Sequence, residues 1–175
     1  RTAHYEEALG RLRALGAAYD CACSRKDVAR AGHVGADGPV YPGTCRRGTP
    51  LGATPRAVRV RTDDAAMAFT DAVFGTRSER LESTIGDFVM RRADGLFAYQ
   101  LAVVVDDADQ GIDHVVRGAD LLSSTPRQIH LQRLLGLATP AYAHVPVVLD
   151  GAGRQLSKRA LAPPIPQDAG TEGGH

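Results

Sequence analysis

Lys158 stands in the run Leu156-Ser157-Lys158-Arg159, just after the Gly-rich turn Asp150-Gly151-Ala152-Gly153. It is one of two lysines, with Lys26, in a chain that otherwise carries positive charge on arginine. A loop lysine presents a compact ammonium on a flexible stem, which suits phosphate chemistry; on these residues alone a solvated loop lysine is the alternative. A second group is Cys21 and Cys23, one residue apart, with Cys45 beyond a Gly-rich stretch. Three thiolates can share one tetrahedral metal and clamp residues 24–44, with the fourth position open to His33, Asp37, Tyr41 or water. The alternative is three unrelated buried thiols. A third pair is Tyr99 and Arg117. An arginine before Gly118, at the end of an apolar strand, can grip a carboxylate through two parallel hydrogen bonds, and strand ends in α/β sheets are where ligands sit. A structural ion pair to Asp106, Asp107 or Asp120 competes with that role. His114, His130 and His144 lie in apolar surroundings and read as hydrogen-bonded packing histidines.

These residues need elements to hold them. Tyr5, Ala8, Leu9, Leu12 and Leu15 recur at helical spacing before Gly16. An extended stretch follows over 17–23, and Ser24 caps a short helix from Arg25 to Ala31. Residues 32–55 are rich in Gly, Pro and Thr, and so long a stretch needs a clamp if it is ordered. Alternation predicts strands over 57–61 and from Met67 to Phe74. Residues 87–92, the turn Ala93-Asp94-Gly95 and Leu96 onward form a hairpin that enters a helix or strand over 99–105. Val115-Val116 reads as a short buried strand. Thr125-Pro126 opens a helix carrying Ile129, Leu131, Leu134 and Leu135 that ends at Gly136. An apolar strand over 143–149 leads to the lysine loop, and from Ala160 the Pro/Gly composition predicts a disordered tail.

The 175 residues, 43% hydrophobic and 23% charged, fit one compact unit or one domain and part of another. A formal net charge of +1 supplies no global attraction for nucleic acid, so any RNA contact is local. Arg46-Arg47, Arg91-Arg92 and the run from Arg56 to Arg61 are the candidate patches, though such runs are more often ordinary solvated faces. No apolar run approaches bilayer-crossing length. The three cysteines, an odd number, argue against a disulfide framework and fit a reducing, cytoplasmic setting. There is no G-x-x-x-x-G-K-[ST] loop, no G-x-G-x-x-G fingerprint and no G-x-S-x-G elbow.

Read in order, Val116-Arg117-Gly118-Ala119-Asp120-Leu121-Leu122-Ser123-Ser124-Thr125-Pro126-Arg127-Gln128, then Leu134-Leu135-Gly136, Tyr142, His144, Pro146 and Leu156-Ser157-Lys158-Arg159 resemble the glutamyl/glutaminyl branch of the class I aminoacyl-tRNA synthetases. Cys21-x-Cys23 with Tyr41-Pro42-Gly43-Thr44-Cys45-Arg46 is similar to the zinc site of the glutamyl-Q tRNA(Asp) synthetase family. Residues 86–92 and 97–107 fit the same family. The resemblance runs from Arg1 to about Arg159.

The resemblance implies an α/β fold, the second half of a class I Rossmann-type catalytic domain with a zinc-binding insertion. Residues 1–16 would form a helix of the Rossmann core, 17–60 the insertion, 61–159 the remaining core with the glutamate and ATP sites, and 160–175 the tail. It implies zinc on Cys21, Cys23, Tyr41 and Cys45, glutamate on Tyr99 and Arg117, and ATP on Leu156, Ser157 and the catalytic Lys158, with magnesium accompanying ATP. The implied activity is ATP-dependent activation of glutamate and its transfer to the queuosine base of tRNA(Asp), by a cytoplasmic monomer without membrane contact. The chain departs from the family in four respects: Gln155 replaces the first lysine of the lysine loop, no His-x-Gly-His-like motif occurs in these residues, the family's N-terminal glutamate-binding residues are not among them, and a Pro/Gly tail stands where C-terminal helices are expected after Lys158. The chain is therefore expected to be the middle of the enzyme, N-terminally truncated and holding half of a split ATP site. The competing readings are a glutamyl-tRNA synthetase catalytic-core fragment and a catalytically silent, zinc-containing binding fragment.

Overall fold

A computed structural model describes residues 1–35, 37–150 and 155–156. The first helix, α1 (Thr2–Ala14), buries Ala8, Leu9 and Leu12 and ends at Gly16, whose φ of 67° closes the turn. Leu15, expected on the same apolar face, is exposed instead. Strand β1 (Ala18–Cys21) follows. Helix α2 (Arg25–Ala31) starts at Ser24, where the Ser24 hydroxyl accepts from the Asp27 amide and Asp27 accepts from the Ser24 amide. Two short strands, β2 (Val34–Gly35) and β3 (Gly38–Pro39), pair within the Gly-rich stretch.

Two larger sheets carry the rest. β4 (Ala57–Val60) lies between β1 and β7 (Val89–Arg91) in an antiparallel sheet ordered β1-β4-β7. The second sheet is ordered β6-β5-β9-β8, from β5 (Ala66–Asp71), β6 (Gly75–Arg80), β8 (His114–Gly118) and β9 (Ala141–Val145). β5 and β6 form an antiparallel hairpin, whereas β9 runs parallel to both β5 and β8. A single turn of helix, α3 (Leu81–Thr84), leads from β6 toward β7, and α4 (Tyr99–Asp109) leads from β7 toward β8. α5 (Thr125–Leu135) follows a 3-10 turn over Ala119–Ser124 and crosses from β8 to β9, completing a βαβ unit. It stops at Gly136, φ 65°, as its sequence requires.

The main core joins α1, α4 and α5 to the first sheet through Leu9, Leu12, Val60, Met90, Leu101, Val104, Leu131 and Leu135. Burying each such side chain contributes about 1.5–3 kcal/mol. Met67, Leu81, Ile129 and Tyr142 form a smaller cluster under the second sheet.

Several expectations change. Residues 99–105 form a helix, because Leu101, Val104 and Val105 all turn into the core at helical spacing. β8 is an edge strand, so Val116 is 71% exposed rather than buried. The strand expected to reach Leu149 ends at Val145, with Val148 and Leu149 exposed. β5 stops at Asp71 rather than Phe74, because the Asp71 carboxylate accepts from the Val73 and Phe74 amides and turns the chain. β6 was not foreseen. The tail from Ala160 lies outside the described residues.

Gly86 links the cysteine-rich segment to the core. It has φ 71° and bridges to Tyr41, and a Cβ built there would stand 2.6 Å from the Tyr41 carbonyl oxygen and 2.8 Å from its nitrogen. Gly86→Ala is therefore expected to displace Tyr41 and to cost about 1–3 kcal/mol, through positive φ and the backbone clash. A lowered urea midpoint is the expected reading, and an unchanged one would contradict this packing.

Candidate functional site

The three cysteines converge. Their sulfur atoms all lie within 4.8 Å of one another, a group able to hold a metal ion. The Cys23 and Cys45 sulfurs are 3.7 Å apart, too far for a disulfide. The Tyr41 hydroxyl joins them, 3.4 Å from the Cys21 sulfur and 3.8 Å from that of Cys23. Metal–sulfur bonds of about 2.3 Å and metal–oxygen bonds of about 2.0 Å set tetrahedral edges of roughly 3.5–3.8 Å, close to the Cys23–Cys45, Cys21–Tyr41 and Cys23–Tyr41 separations. His33 does not compete for the fourth position, since its Nε2 is 2.9 Å from the Ser83 carbonyl oxygen. Asp37 is committed to Arg127 at 2.6 Å.

Local chain direction explains the convergence. β1 delivers Cys21, the following residues deliver Cys23, and the Pro42-Gly43 turn brings Cys45 back beneath Tyr41, whose oxygen accepts from the Cys45 amide at 2.8 Å. Burial pushes the Cys23 thiol up to about 11 and also raises the Tyr41 phenol. Burial opposes ionisation of Cys45 as well, but hydrogen bonds from the Ala22 backbone, Tyr41 and Cys23 outweigh it and hold that thiol below its usual range.

Arginines of the candidate patches lie around this cluster, and Arg59, Arg46 and Arg61 are engaged internally, Arg61 donating to the carbonyl oxygens of Gly16 and Arg46. Arg59 donates from Nε to the Cys21 sulfur at 3.3 Å and stacks on the Tyr41 ring, 3.9 Å from its centroid. Arg46 donates to both oxygens of Asp87, at 2.5 and 2.6 Å, and to Glu82 at 2.6 Å. Asp87 also accepts from the Tyr19 hydroxyl and from the Thr62 amide and hydroxyl. Its side chain is fully buried. Burial works against its charge, but Arg46, Tyr19 and Thr62 more than compensate and hold the carboxyl below its usual range.

The second constellation lies at the far edge of the other sheet. Arg117 on β8 is half-buried and is the register partner of His144 on β9. It donates from Nε to His144 Nε2 at 3.0 Å and from Nη2 to Thr125 Oγ1 at 2.9 Å. None of the carboxylates proposed as structural partners forms a salt bridge with it among the described residues. Tyr99 sits in the first turn of α4, 49% exposed. Tyr142 lies beside Arg117. Burial is the main cause of that ring's raised pKa, with Arg117 opposing and Tyr99 adding to the rise. The Arg117 guanidinium carbon stands 5.6 Å from the Tyr142 ring centroid.

The histidines divide. His144 is wholly buried and hydrogen-bonded to Asp71 at 2.7 Å, and His130 bonds the Arg61 carbonyl oxygen at 2.7 Å. Both match the packing reading, whereas His114 is exposed and meets only its neighbour Asp113. Asp71 was not singled out from the sequence. It is legible only once β5 is known to lie beside β9. Lys158 and Ser157 lie outside the described residues. Leu156 is partly exposed and returns a backbone hydrogen bond to Val148 at 2.9 Å.

A family model for tRNA synthetases class I (E and Q), catalytic domain, matches residues 1–169. The chain belongs to that family. Glutamyl-Q tRNA(Asp) synthetases from Thiobacillus denitrificans and Geobacter sulfurreducens are 55% and 57% identical to it, covering 93% and 97% of this chain. The alignments span 54% and 56% of those relatives, so this class I chain corresponds to about half their length. Among solved structures, a glutamate tRNA ligase from Elizabethkingia meningosepticum in complex with its amino acid shares the fold. Its TM-score is 0.70 at 23% identity, and the match covers 89% of this chain and 35% of that one. No helix among the described residues is long and apolar enough to cross a membrane.

The depressed Asp87 and Asp71 carboxyls fix the sign of an acid effect. Each contributes stability that is complete above the ordinary carboxylate pKa near 4 and is lost as pH falls toward the folded value. Urea unfolding of the wild type should weaken progressively below about pH 4, with a flatter dependence in Asp87→Asn. Equal slopes in the two proteins would contradict the assignment.

Proposed function

We propose that the protein containing these residues activates glutamate with ATP and transfers it to the queuosine of tRNA(Asp). The observation that carries this reading is Arg117, held at the end of a parallel strand by neutral acceptors, with no ion pair among the described residues. A half-buried guanidinium held in this way keeps its charge available for a substrate carboxylate. Tyr99, half-exposed at the opening of α4, would contribute to the same amino-acid site. The chain's similarity to glutamyl-Q tRNA(Asp) synthetases suggests the acceptor, and the Cys-x-Cys…Tyr-x-x-x-Cys donor set favours that branch over ordinary glutamyl-tRNA synthetases.

In the proposed reaction an oxygen of the glutamate α-carboxylate attacks the α-phosphorus of ATP. A carboxylate–phosphate bond forms as the bond to pyrophosphate breaks, giving glutamyl-adenylate. The acceptor group of the tRNA then attacks the activated carbonyl and AMP leaves. Arg117 would neutralise and orient one substrate carboxylate. Lys158, flanked by Leu156 and Ser157, would place its ammonium near the phosphate oxygens, where charge builds in the transition state. Magnesium would accompany ATP.

Zinc fits the cluster of Cys21, Cys23, Tyr41 and Cys45 by donor type and spacing. Bound there, it would cross-link β1 to the Tyr41–Cys45 turn as a closed structural site with no exchangeable position. The three thiols are free, as the reducing cytoplasm would keep them.

Transfer of labelled glutamate by the full-length protein to queuosine-containing tRNA(Asp), and not to tRNA(Glu), is the expected outcome; charging of tRNA(Glu) would overturn the assignment. Arg117→Ala should raise the KM for glutamate by about 30-fold or more, from the 2–5 kcal/mol cost of removing one partner of a desolvated charge pair. Stoichiometric zinc should be lost in Cys45→Ala, and its full retention would exclude Cys45 as a ligand.

A further inference from the structure

Asp71, His144 and Arg117 lie on three adjacent strands, β5, β9 and β8, and form one continuous hydrogen-bonded line. Arg117 Nε always carries a proton, so His144 Nε2, 3.0 Å away, must accept through its lone pair. The proton of His144 therefore resides on Nδ1 and is donated to Asp71 Oδ2 at 2.7 Å. Thr125 Oγ1, 3.3 Å from the same Nε2, accepts from Arg117 Nη2 and can turn its own hydrogen toward the imidazole. Both His144 and Asp71 have side chains with no solvent exposure. The other Asp71 oxygen is fixed by the Val73 and Phe74 amides at 3.0 and 2.9 Å, and by the His144 amide at 3.3 Å. The carboxylate cannot rotate without breaking backbone hydrogen bonds.

This arrangement occupies one edge of the guanidinium, the one bearing Nε and Nη2. Nη2 also makes a long hydrogen bond to the Leu121 carbonyl oxygen at 3.4 Å, so among the described residues Nη1 is the nitrogen without a hydrogen-bond partner, and the end edge that bears it is the one left for a ligand.

We propose that Asp71 and His144 are positioning residues for substrate recognition: Asp71 fixes the tautomer of His144, and His144 aims the end edge of Arg117 at a substrate carboxylate. This inference rests on the reading of Arg117 as a glutamate ligand. The physical logic is that of a carboxylate holding an imidazole in one tautomer. Here the imidazole works as a permanent acceptor, and no proton is transferred.

Asp71→Asn tests it without changing side-chain size. The asparagine oxygen can keep the Val73 and Phe74 amides, while its NH2 group faces His144 Nδ1. That drives the imidazole proton to Nε2, where it opposes the Arg117 N–H. In ATP–pyrophosphate exchange by the full-length enzyme, the KM for glutamate should rise about tenfold or more, the equivalent of one lost charge-assisted hydrogen bond. The KM for ATP should stay unchanged. In the Arg117→Ala background the same substitution should add nothing. If Arg117→Ala itself leaves the glutamate KM unaltered, the underlying site reading fails. If Arg117→Ala raises it and a folded Asp71→Asn does not, this inference alone fails.

His144→Gln keeps a carbonyl oxygen for Arg117 and an NH2 group for Asp71, and should remain within about threefold of wild type, whereas His144→Phe should not. Equal losses in both would overturn the proposal. Imidazole 15N shifts of the wild type give a readout independent of any variant's folding. A protonated Nδ1 with a free Nε2 is expected, and a proton on Nε2 would overturn the assignment.

Discussion

The buried carboxylate of Asp87 is the interaction on which the cysteine-rich half of the molecule depends. A carboxylate removed from water is tolerable only when its lone pairs are filled, and Arg46, Tyr19 and Thr62 fill them. Each partner belongs to a different part of the chain. Tyr19 lies on β1 beside Cys21, Arg46 follows Cys45 directly, and Thr62 lies just beyond β4. Satisfying one charge therefore fixes the strand and the turn that carry the metal-type ligands. Gly86, immediately before Asp87, allows the Tyr41 backbone to approach closely enough to complete the arrangement.

The same device recurs in the second sheet. Asp71 is also buried, also accepts from backbone amides at a turn, and also orients a neighbouring side chain. Burial alone would raise its pKa, but His144 and the three amides outweigh that effect and keep it charged. The two sites thus use a fixed negative charge for different ends. Asp87 locks an arginine that stays internal, and Asp71, through a neutral histidine, holds an arginine whose outer edge remains available. The βαβ crossover makes the second arrangement possible, since parallel pairing sets Arg117 beside His144 and starts α5 at Thr125, next to both.

Much of this was legible in the sequence. Helix α5 declared itself through Pro126 and Gly136, and α2 through Ser24, because caps and stops are local chemistry. The cysteine group was visible as ligand types, with Tyr41 one of several candidates for the fourth position until the family resemblance singled it out, and the fold commits His33 and Asp37 elsewhere. Residues 99–105 stayed open between helix and strand because Val103-Val104-Val105 favours strands by propensity, and burial of one helical face decides the matter. β6 escaped because Gly-Thr-Arg-Ser-Glu-Arg shows no apolar alternation. It is an edge strand held by its hairpin with β5. Asp71 and its link to His144 could not be read, since the two are far apart in sequence and meet only through strand order.

The most direct measurement is a crystal structure of the full-length protein with glutamate bound. The account predicts a substrate carboxylate on the Nη1/Nη2 edge of Arg117, with His144 still hydrogen-bonded to Arg117 Nε and to Asp71. Glutamate held entirely by other residues, with Arg117 turned away or paired to a protein carboxylate, would contradict it.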